Sequence, residues 1–305
     1  MKTFSDHINV PLASDIMTPN IQTLLPDTLI PIAIHEILTR KYSEMPIVNA
    51  DGQYLGMFSE KCCMRVLASL VELIDTSKRD PPKASNVMVP REKLFTLDPG
   101  EDVFVAMSSL LAMGYSGAPV IAANGEFLGI FSERTCLGFI TEAAYSEIPT
   151  ANVGGFIDPD CNRLIDAGTD LHTIAKIFVE TSYARLPVLH EGRIVGQISR
   201  RDVLNHSKIL SRILRHRLDL PRTERESSLP AADTYLAAYG MLSDHSVSAF
   251  ADMTSRSIDP EMDLFSVAQL FFQSPCRRFS VLLEGRLIGQ ISRSDILRHA
   301  IRLLK

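Results

Sequence analysis

The 305-residue sequence lacks the features that mark secreted, membrane-spanning and metal-stapled proteins. Its five cysteines are an odd number with no C-x-x-C pair, which argues against a disulfide framework or a structural zinc site. No apolar run approaches the roughly 20 residues that span a bilayer. Ser5, Asp6 and His7 interrupt the region where a secretory signal would carry its apolar core. We therefore expect a cytoplasmic protein without membrane insertion.

The sequence also lacks a strong charge of one sign and the common catalytic motifs. A formal net charge of −5 argues against a protein whose whole surface binds nucleic acid. There is no Gly-rich P-loop, no Gly-x-Ser-x-Gly, no His-Glu-x-x-His and no convincing metal cluster. Adjacent Cys62 and Cys63 lie early in an apolar helical pattern and are interpreted as small core residues. We expect no enzyme and no metal site.

One stretch occurs four times along the chain. Gly196–Leu204 (Gly-Gln-Ile-Ser-Arg-Arg-Asp-Val-Leu) returns almost unchanged as Gly289–Leu297, and weaker copies occupy Gly56–Cys62 and Gly129–Thr135. Each copy runs from a strand-like stretch into a Ser that opens a polar and then apolar run, which predicts a strand followed by a helix with Ser as N-cap. The four recurrences indicate a repeat protein.

Each repeat has the order strand, helix, hairpin, helix, so the predicted fold class is α+β. The hairpins are predicted from two short apolar stretches joined by a turn that contains Gly, such as Asp51-Gly52 and Asn124-Gly125. An apolar-Pro-apolar segment begins the hairpin in the first three repeats, and the fourth has Ser in place of Pro. These segments are Met45-Pro46-Ile47, Ala118-Pro119-Val120, Leu186-Pro187-Val188 and Phe279-Ser280-Val281.

The opening Asp15-Ile16-Met17-Thr18-Pro19, this central segment and the closing Gly-x-Ile-Ser-x-x-Asp together resemble the cystathionine β-synthase (CBS) domain. The resemblance implies four CBS repeats over nearly the whole chain, paired in sequence order into two Bateman modules. The expected boundaries are 1–147 (repeats about 10–76 and 84–147) and 148–305 (repeats about 148–218 and 246–305, with an inserted segment 205–250).

By resemblance, such modules bind adenosine-containing ligands in clefts between repeats and regulate a partner. The first hypothesis is a non-enzymatic sensor that binds AMP, ADP or ATP, or alternatively S-adenosylmethionine, in its C-terminal repeat pair. The second is a ligand-free scaffold whose CBS folds serve as dimerisation surfaces. The modules would stack within one chain as a flat disk or pair between chains, and a homodimer with a regulated protein partner is the expected assembly.

The closing acid of the motif binds the ribose diol in the family, which by resemblance assigns this role to Asp202 and Asp295. An ionised carboxylate can accept two hydrogen bonds from adjacent hydroxyls. The first two repeats have Cys62 and Thr135 at this position, and neither is a carboxylate. A second interpretation stays open, since Ser three residues before an acid also forms a capping box that needs no ligand.

Arginines cluster in the two repeats that keep the acid, which favours a phosphorylated ligand there. The alternative is that these arginines form surface or interface ion pairs. The residues assigned near phosphate or ribose are Ser199, Arg200, Arg201, Arg185, Ser292, Arg293, Arg277 and Arg278. The residues placed near adenine by resemblance are Tyr183, Ala184, Pro187, Val188, Ser280 and Val281.

The inserted segment carries the one basic cluster of the chain, at 205–225. An apolar stripe of Ile209, Ile213 and Leu214 accompanies its arginines. This pattern favours an extended terminal helix of the third repeat with a solvated basic face. The alternative is a docking surface for an acidic partner or nucleic acid.

Overall fold

The computed structural model describes residues 10–72, 82–143, 151–205 and 246–303. Within these ranges the chain forms four repeats of one helix, a two-stranded antiparallel hairpin and a second helix. The predicted α+β class and the strand–helix–hairpin–helix order are confirmed. The basic segment lies almost entirely outside the described residues, so its two interpretations stay predictions.

The first two repeats have matching elements. Repeat 1 contains α1 (Ala13–Ile16), β1 (Thr18–Pro19), α2 (Ile30–Thr39), β2 (Glu44–Val48), β3 (Tyr54–Ser59) and α3 (Glu60–Glu72). Repeat 2 contains α4 (Ala84–Val87), β4 (Val89–Pro90), α5 (Val103–Met113), β5 (Gly117–Ile121), β6 (Phe127–Ser132) and α6 (Glu133–Ala143).

The last two repeats begin with a 3-10 turn instead of a short α-helix, at Val153–Phe156 and Val247–Ala249. Repeat 3 continues with β7 (Ile165–Asp166), α7 (Leu171–Glu180), β8 (Arg185–His190), β9 (Arg193–Ser199) and α8 (Arg200–Asn205). Repeat 4 continues with β10 (Ser257–Ile258), α9 (Leu264–Gln273), β11 (Arg278–Leu283), β12 (Arg286–Ser292) and α10 (Arg293–Leu303).

The opening segment of each repeat, ahead of its first long helix, is here called its leader, and it pairs with the sheet of another repeat. β1 of repeat 1 is antiparallel to β12 of repeat 4, and β4 of repeat 2 is antiparallel to β9 of repeat 3. The exchange is reciprocal, because Asp252 in the leader of repeat 4 bridges to Met57 and Asp158 in the leader of repeat 3 bridges to Ile130. Repeats 1 and 4 therefore form one strand-exchanged pair, and repeats 2 and 3 form the other.

The recurrent glycine of the closing motif lies where a leader crosses the hairpin. A Cβ added to Gly196 would lie 2.7 Å from the carbonyl oxygen of Val89, and one added to Gly56 would lie 2.7 Å from that of Asp252. Gly129 and Gly289 face the leader carbonyls of Asp158 and Thr18 in the same way. The glycine recurs because only a residue without a side chain admits the exchanged backbone at this distance.

Helices join the repeats in a different combination. α3 of repeat 1 packs on α7 and α8 of repeat 3, and α6 of repeat 2 packs on α9 and α10 of repeat 4. Each of the two hydrophobic cores accordingly draws most of its buried residues from one such combination, with Phe58 and Phe178 in one and Phe131 and Phe279 in the other. Leader residues of the other two repeats complete each core. Strand exchange and helix packing thus connect each repeat to two others.

The pairing by strand exchange differs from the sequential order expected from the sequence, in which repeat 1 joined repeat 2 and repeat 3 joined repeat 4. The physical reason is the path of the leaders, whose backbone hydrogen bonds go to repeats 4 and 3. The division of the chain at residues 147 and 148 stays a prediction.

Candidate functional site

The four strand-to-helix junctions have a common geometry built on serine. Each serine hydroxyl accepts a hydrogen bond from the backbone N–H three residues later, at 3.2 to 3.3 Å. This is the N-cap that the recurrent Ser predicted. The serines are Ser59, Ser132, Ser199 and Ser292.

Asp202 and Asp295 both complete capping boxes. Oδ2 of Asp202 accepts from the backbone N–H of Ser199 at 2.8 Å and from its hydroxyl at 2.5 Å. Asp295 makes the same bonds with Ser292 at 2.9 and 2.6 Å, and its Oδ1 also pairs with Arg298 at 3.2 Å. Oδ1 of Asp202 has no hydrogen-bond partner in the described part of the chain. The capping interpretation therefore holds for both acids, while the ligand roles of both stay predictions.

Thr135 performs the same capping in repeat 2 without a charge. Its hydroxyl accepts from the backbone N–H of Ser132 at 2.8 Å, as the aspartates do in repeats 3 and 4. Capping at this position thus requires an acceptor and not an acid. The carboxylates of Asp202 and Asp295 are more than the cap needs.

The residue after each serine carries a charge; three of these residues are buried, and Glu133 is half-buried. Repeats 1 and 2 place Glu60 and Glu133 there, whereas repeats 3 and 4 place Arg200 and Arg293. The two arginines donate to carbonyls at the end of the preceding helix, Arg200 to Phe178 and Thr181 and Arg293 to Phe271 and Ser274. Burial lowers the pKa of both guanidinium groups to about 10.

Glutamates of the first two repeats face arginines of the last two. Arg201 donates to the Glu60 carboxylate at 2.8 to 2.9 Å and to the Tyr42 carbonyl at 2.7 Å. Burial raises the pKa of Glu133, and the nearby Arg277 and Arg293 oppose that shift. Part of the arginine cluster is therefore matched by carboxylates within the chain, as the ion-pair alternative held.

A cavity of about 450 Å³ lies between repeats 2 and 3 and reaches repeat 4. This volume is within the range of pockets that hold small molecules. Repeat 2 contributes Ser116, Gly117, Ile130, Ser132, Glu133 and Arg134; repeat 3 and its leader contribute Asp158, Asp160, Arg163, Thr181, Ser182, Tyr183, Ala184, Arg185 and Gln197; repeat 4 contributes Pro275, Arg277 and Arg293.

Four of the five cavity arginines are bound to protein acceptors. Arg185 donates to the Gly117 carbonyl at 3.1 Å, Arg134 donates to the Phe272 carbonyl at 3.2 Å, and Arg163 pairs with Asp158. Arg293 is held by the helix carbonyls described above. The guanidinium of Arg277 has no hydrogen bond or ion pair among the described residues. Among the described residues, it is the cavity arginine that lacks a protein acceptor.

The other side of the cavity carries carboxylates and an aromatic ring. The Tyr183 hydroxyl donates to Asp160, which lowers the pKa of that carboxyl, while burial followed by this bond raises the pKa of Tyr183 to about 12. Arg163 lies 5.1 Å from the centre of the Tyr183 ring. The cavity thus has two kinds of polar group. The carboxylates in the leader of repeat 3 can accept hydrogen bonds from ligand hydroxyls, and the guanidinium groups of the other lining arginines can donate hydrogen bonds.

The structure brings only part of the predicted site together in this cavity. Tyr183, Ala184, Arg185, Arg277 and Arg293 line it. Val188, Val281 and Ser280 are fully buried within their sheets. The predicted residues outside the lining are Asp202, Asp295, Ser199, Ser292, Arg200, Arg201, Arg278, Pro187, Val188, Ser280 and Val281. Their ligand roles stay predictions.

Sequence reasoning missed the contribution of repeat 2, because it ranked the repeats by the ribose acid that repeat 2 lacks. It also missed Asp158, Asp160 and Arg163, which lie in the leader of repeat 3. The sequence did contain a signal for these residues. The leader of repeat 3 has charged residues, whereas the corresponding segments of repeats 1 and 2 have Thr18-Pro19 and Val89-Pro90. The exchange of leaders, which brings this segment to repeat 2, is not visible in the sequence.

Among the described residues, no cluster of three or more His, Cys, Asp or Glu could hold a metal ion. In the same part of the chain, no helix combines the length and apolar character needed to cross a membrane.

Fold and cavity define a class, namely a protein of four strand-exchanged repeats with a charged cavity between repeats 2 and 3. The CBS domain family model matches residues 13–69, 84–142, 158–208 and 247–302. The chain therefore belongs to the CBS domain family, as the resemblance of its motifs implied, and consists of four CBS repeats that form two pairs.

Several known proteins are similar to this chain. Uncharacterized protein MJ1225 of Methanocaldococcus jannaschii is 26% identical over 214 residues, which cover 67% of this chain and 72% of the relative. The crystal structure of MJ1225, proposed as an archaeal homologue of γ-AMPK, covers 94% of this chain and 99% of its own with 19% identity and a TM-score of 0.40.

Shorter CBS-pair structures match less of the chain. CBSX2 from Arabidopsis thaliana is 23% identical over 44% of this chain and 99% of its own, with a TM-score of 0.39. A crystal structure of CBSX2 in complex with AMP is 25% identical over 42% of this chain and 97% of its own, with a TM-score of 0.38. At these TM-scores the similarities carry no information on the ligand or on the pairing of the repeats.

Proposed function

We propose that this protein is a non-catalytic regulatory sensor that binds an adenosine phosphate in the cavity between repeats 2 and 3. Occupancy would change how this pair sits against repeat 4 and would be transmitted to a protein partner. The proposal shifts the site from the cleft of repeats 3 and 4, which the sequence favoured, to the cavity where Arg185, Arg277 and Arg293 meet.

The observation that carries this proposal is that the half-buried guanidinium of Arg277 has no partner among the described residues, whereas each of the other four cavity arginines has at least one protein acceptor. A partly desolvated cation without a protein partner favours an anion beside it. Phosphate oxygens accept charge-assisted hydrogen bonds from guanidinium groups, which supports a phosphorylated ligand. S-adenosylmethionine carries a cationic sulfonium and fits this lining less well.

Asp202 supports a nucleoside rather than inorganic phosphate. It is hydrogen-bonded to Ser199, and Ser199 lies opposite the cavity residue Arg185 in the hairpin, so Asp202 belongs to a junction next to the cavity without lining it. Asp158 and Asp160, by contrast, line the cavity directly and are the other carboxylates that could accept ribose hydroxyls.

The test is calorimetric titration of the nucleotide-stripped protein with AMP, ADP, ATP and S-adenosylmethionine, with GTP as a control for base specificity. We expect saturable binding of an adenosine phosphate that Arg277→Ala abolishes. Arg193→Ala is the matched control, because it removes the same charge from an exposed hairpin position away from the cavity. Equal loss in both variants would assign the effect to net charge and contradict the site.

Asp202→Thr separates ligand contact from helix capping. Since Thr135 caps repeat 2 in the same geometry, this variant should keep its melting temperature within a few degrees and lose affinity about tenfold or more, the value of one charge-assisted bond. Titration and thermal unfolding measure the two effects. Unchanged affinity in a folded variant would leave Asp202 as a cap only.

A ligand-free scaffold is the second candidate function, favoured by the capping bonds that already engage Asp202 and Asp295. It predicts that no nucleotide binds to the folded protein. If none of the tested nucleotides binds to the folded protein in the titration, the scaffold hypothesis is favoured over the sensor hypothesis.

A further inference from the structure

The hairpin of each repeat begins at an equivalent position, opposite the serine that caps the second helix. The structure fixes this equivalence through strand register rather than through sequence similarity. The four pairs are Glu44 with Ser59, Gly117 with Ser132, Arg185 with Ser199 and Arg278 with Ser292.

In the pair formed by repeats 2 and 3, this position borders the cavity. Gly117 has no side chain, and its carbonyl accepts the hydrogen bond from Arg185. Both residues line the cavity. The equivalent residues in the pair formed by repeats 1 and 4 are Glu44 and Arg278.

Glu44 therefore adds a carboxylate at a position where repeat 2 has no side chain. Its Oε1 is buried and has no hydrogen-bond partner in the part of the chain that the structure describes. Burial raises the pKa of this carboxyl, while the positive charges of Arg278 and Arg277 oppose the shift. Glu60, Arg200 and Tyr54 are the other titratable groups whose charges couple to Glu44.

We propose that Glu44 is a built-in anion between repeats 1 and 4, at the position equivalent to the one beside which the ligand phosphate binds between repeats 2 and 3. Carboxylate and phosphate oxygens are interchangeable acceptors for guanidinium donors. The chain would consequently hold one anionic ligand and not two. This inference rests on the proposed function, because it uses the cavity as the reference site.

Removal of the Glu44 side chain should create a second site. Calorimetric titration with AMP is expected to give one site per chain for the wild type and two for Glu44→Gly, which copies the residue of repeat 2. Glu44→Gln is the matched control: it keeps the side-chain volume, so its stoichiometry should stay at one.

The outcomes separate this inference from the proposed function. One site in both the wild type and a folded Glu44→Gly variant would overturn the inference and leave the sensor intact. No binding by the wild type would overturn the proposed cavity site; Glu44→Gly would then decide alone, with one site supporting the built-in anion and none overturning it.

A reciprocal exchange keeps the inference testable if Glu44→Gly does not fold. Gly117→Glu places a carboxylate in the cavity and should weaken AMP binding about tenfold more than Gly117→Gln, since only the first repels phosphate. A Cβ at Gly117 would lie 3.0 Å from the Phe131 carbonyl oxygen, so both variants share the same local adjustment. Equal affinities in the two variants would contradict the built-in anion.

Discussion

At the scale of the residue, the glycine of the closing motif shows how a short recurrent pattern records a long-range contact. Gly196 lies under the leader of repeat 2, which is about a hundred residues earlier in the chain. A Cβ there would meet Met88 Sδ at 2.5 Å and the Val89 carbonyl oxygen at 2.7 Å. The methionine side chain can move, but the backbone carbonyl is held by the strand pairing.

Gly196→Ala should accordingly lower the free energy of unfolding by about 1–3 kcal/mol, the usual cost of overpacking. Urea unfolding monitored by circular dichroism measures the change. Gly155→Ala is the control, because nothing lies within 4 Å of the Cβ that it adds. Equal stability of the two variants would mean that the leader of repeat 2 does not cross at Gly196.

The capping serines and aspartates illustrate what the sequence could predict at this scale. Ser199 and Asp202 are three residues apart, so their reciprocal bonds follow from local geometry alone. The placement of Glu60 against Arg201 could not be predicted, since it depends on helix packing between repeats 1 and 3. Hydrogen bonds between residues close in sequence could be predicted from the sequence, whereas the partners of buried charges could be identified only from the folded structure.

At the scale of the element, α9 is positioned by its N-terminal residue. Asp263 Oδ1 accepts from the backbone N–H groups of Phe265 and Ser266, each at 3.0 Å, and Oδ2 accepts from the Ser266 hydroxyl at 2.5 Å. The same helix packs on α6 and contributes Leu264 and Phe271 to the core. The cap therefore supports the contact between repeats 2 and 4.

Asp263→Ala should reduce stability by about 1 kcal/mol, the typical value of an N-cap. The hydrogen bonds from Ser266 lower the pKa of Asp263 from 3.8. Its contribution is thus present above pH 3.8 and is lost as the pH falls through the lower folded value. Thermal unfolding between pH 7 and pH 3 measures this dependence.

Two variants frame this measurement. The stability advantage of the wild type over Asp263→Asn should shrink below about pH 4, because the amide does not titrate. Asp51→Ala removes a carboxylate that makes no hydrogen bond within the described residues and should change stability little. A constant difference between wild type and Asp263→Asn at every pH would contradict the lowered pKa.

Elements were the best-predicted level of the fold. The order of helices and hairpins followed from Gly-containing turns and from the Ser that opens each second helix. The two-residue leaders were not predicted as exchanged strands, because so short a segment carries no periodicity that would identify its partner.

At the scale of the whole molecule, the contacts between repeats run across the middle of the chain. Repeats 1 and 2 exchange leaders with repeats 4 and 3, and their helices pack on those of repeats 3 and 4. The expected boundary at residues 147 and 148 therefore divides the covalent chain but not these contacts. The sequential pairing assumed that neighbours in sequence are neighbours in space.

A protease site placed within residues 144–150 tests this arrangement. After cleavage, the two fragments should co-elute in size-exclusion chromatography at micromolar concentration, because both strand exchanges and both helix contacts connect them. The uncleaved protein gives the reference elution volume. Fragments that separate into two folded species under native conditions would instead support sequential modules.

The exchange between the first and last repeats also closes the molecule on itself. Linear arrays of repeats end in units whose outer face has no neighbour and must be made polar to stay soluble. Here β1 lies in the sheet of repeat 4 and α1 contacts α10, so the beginning and the end of the described chain meet in one pair. These contacts connect the four described repeats in a ring, so each repeat has two neighbours. In a circular permutant, each repeat should therefore keep the same two neighbours that it has in the native order.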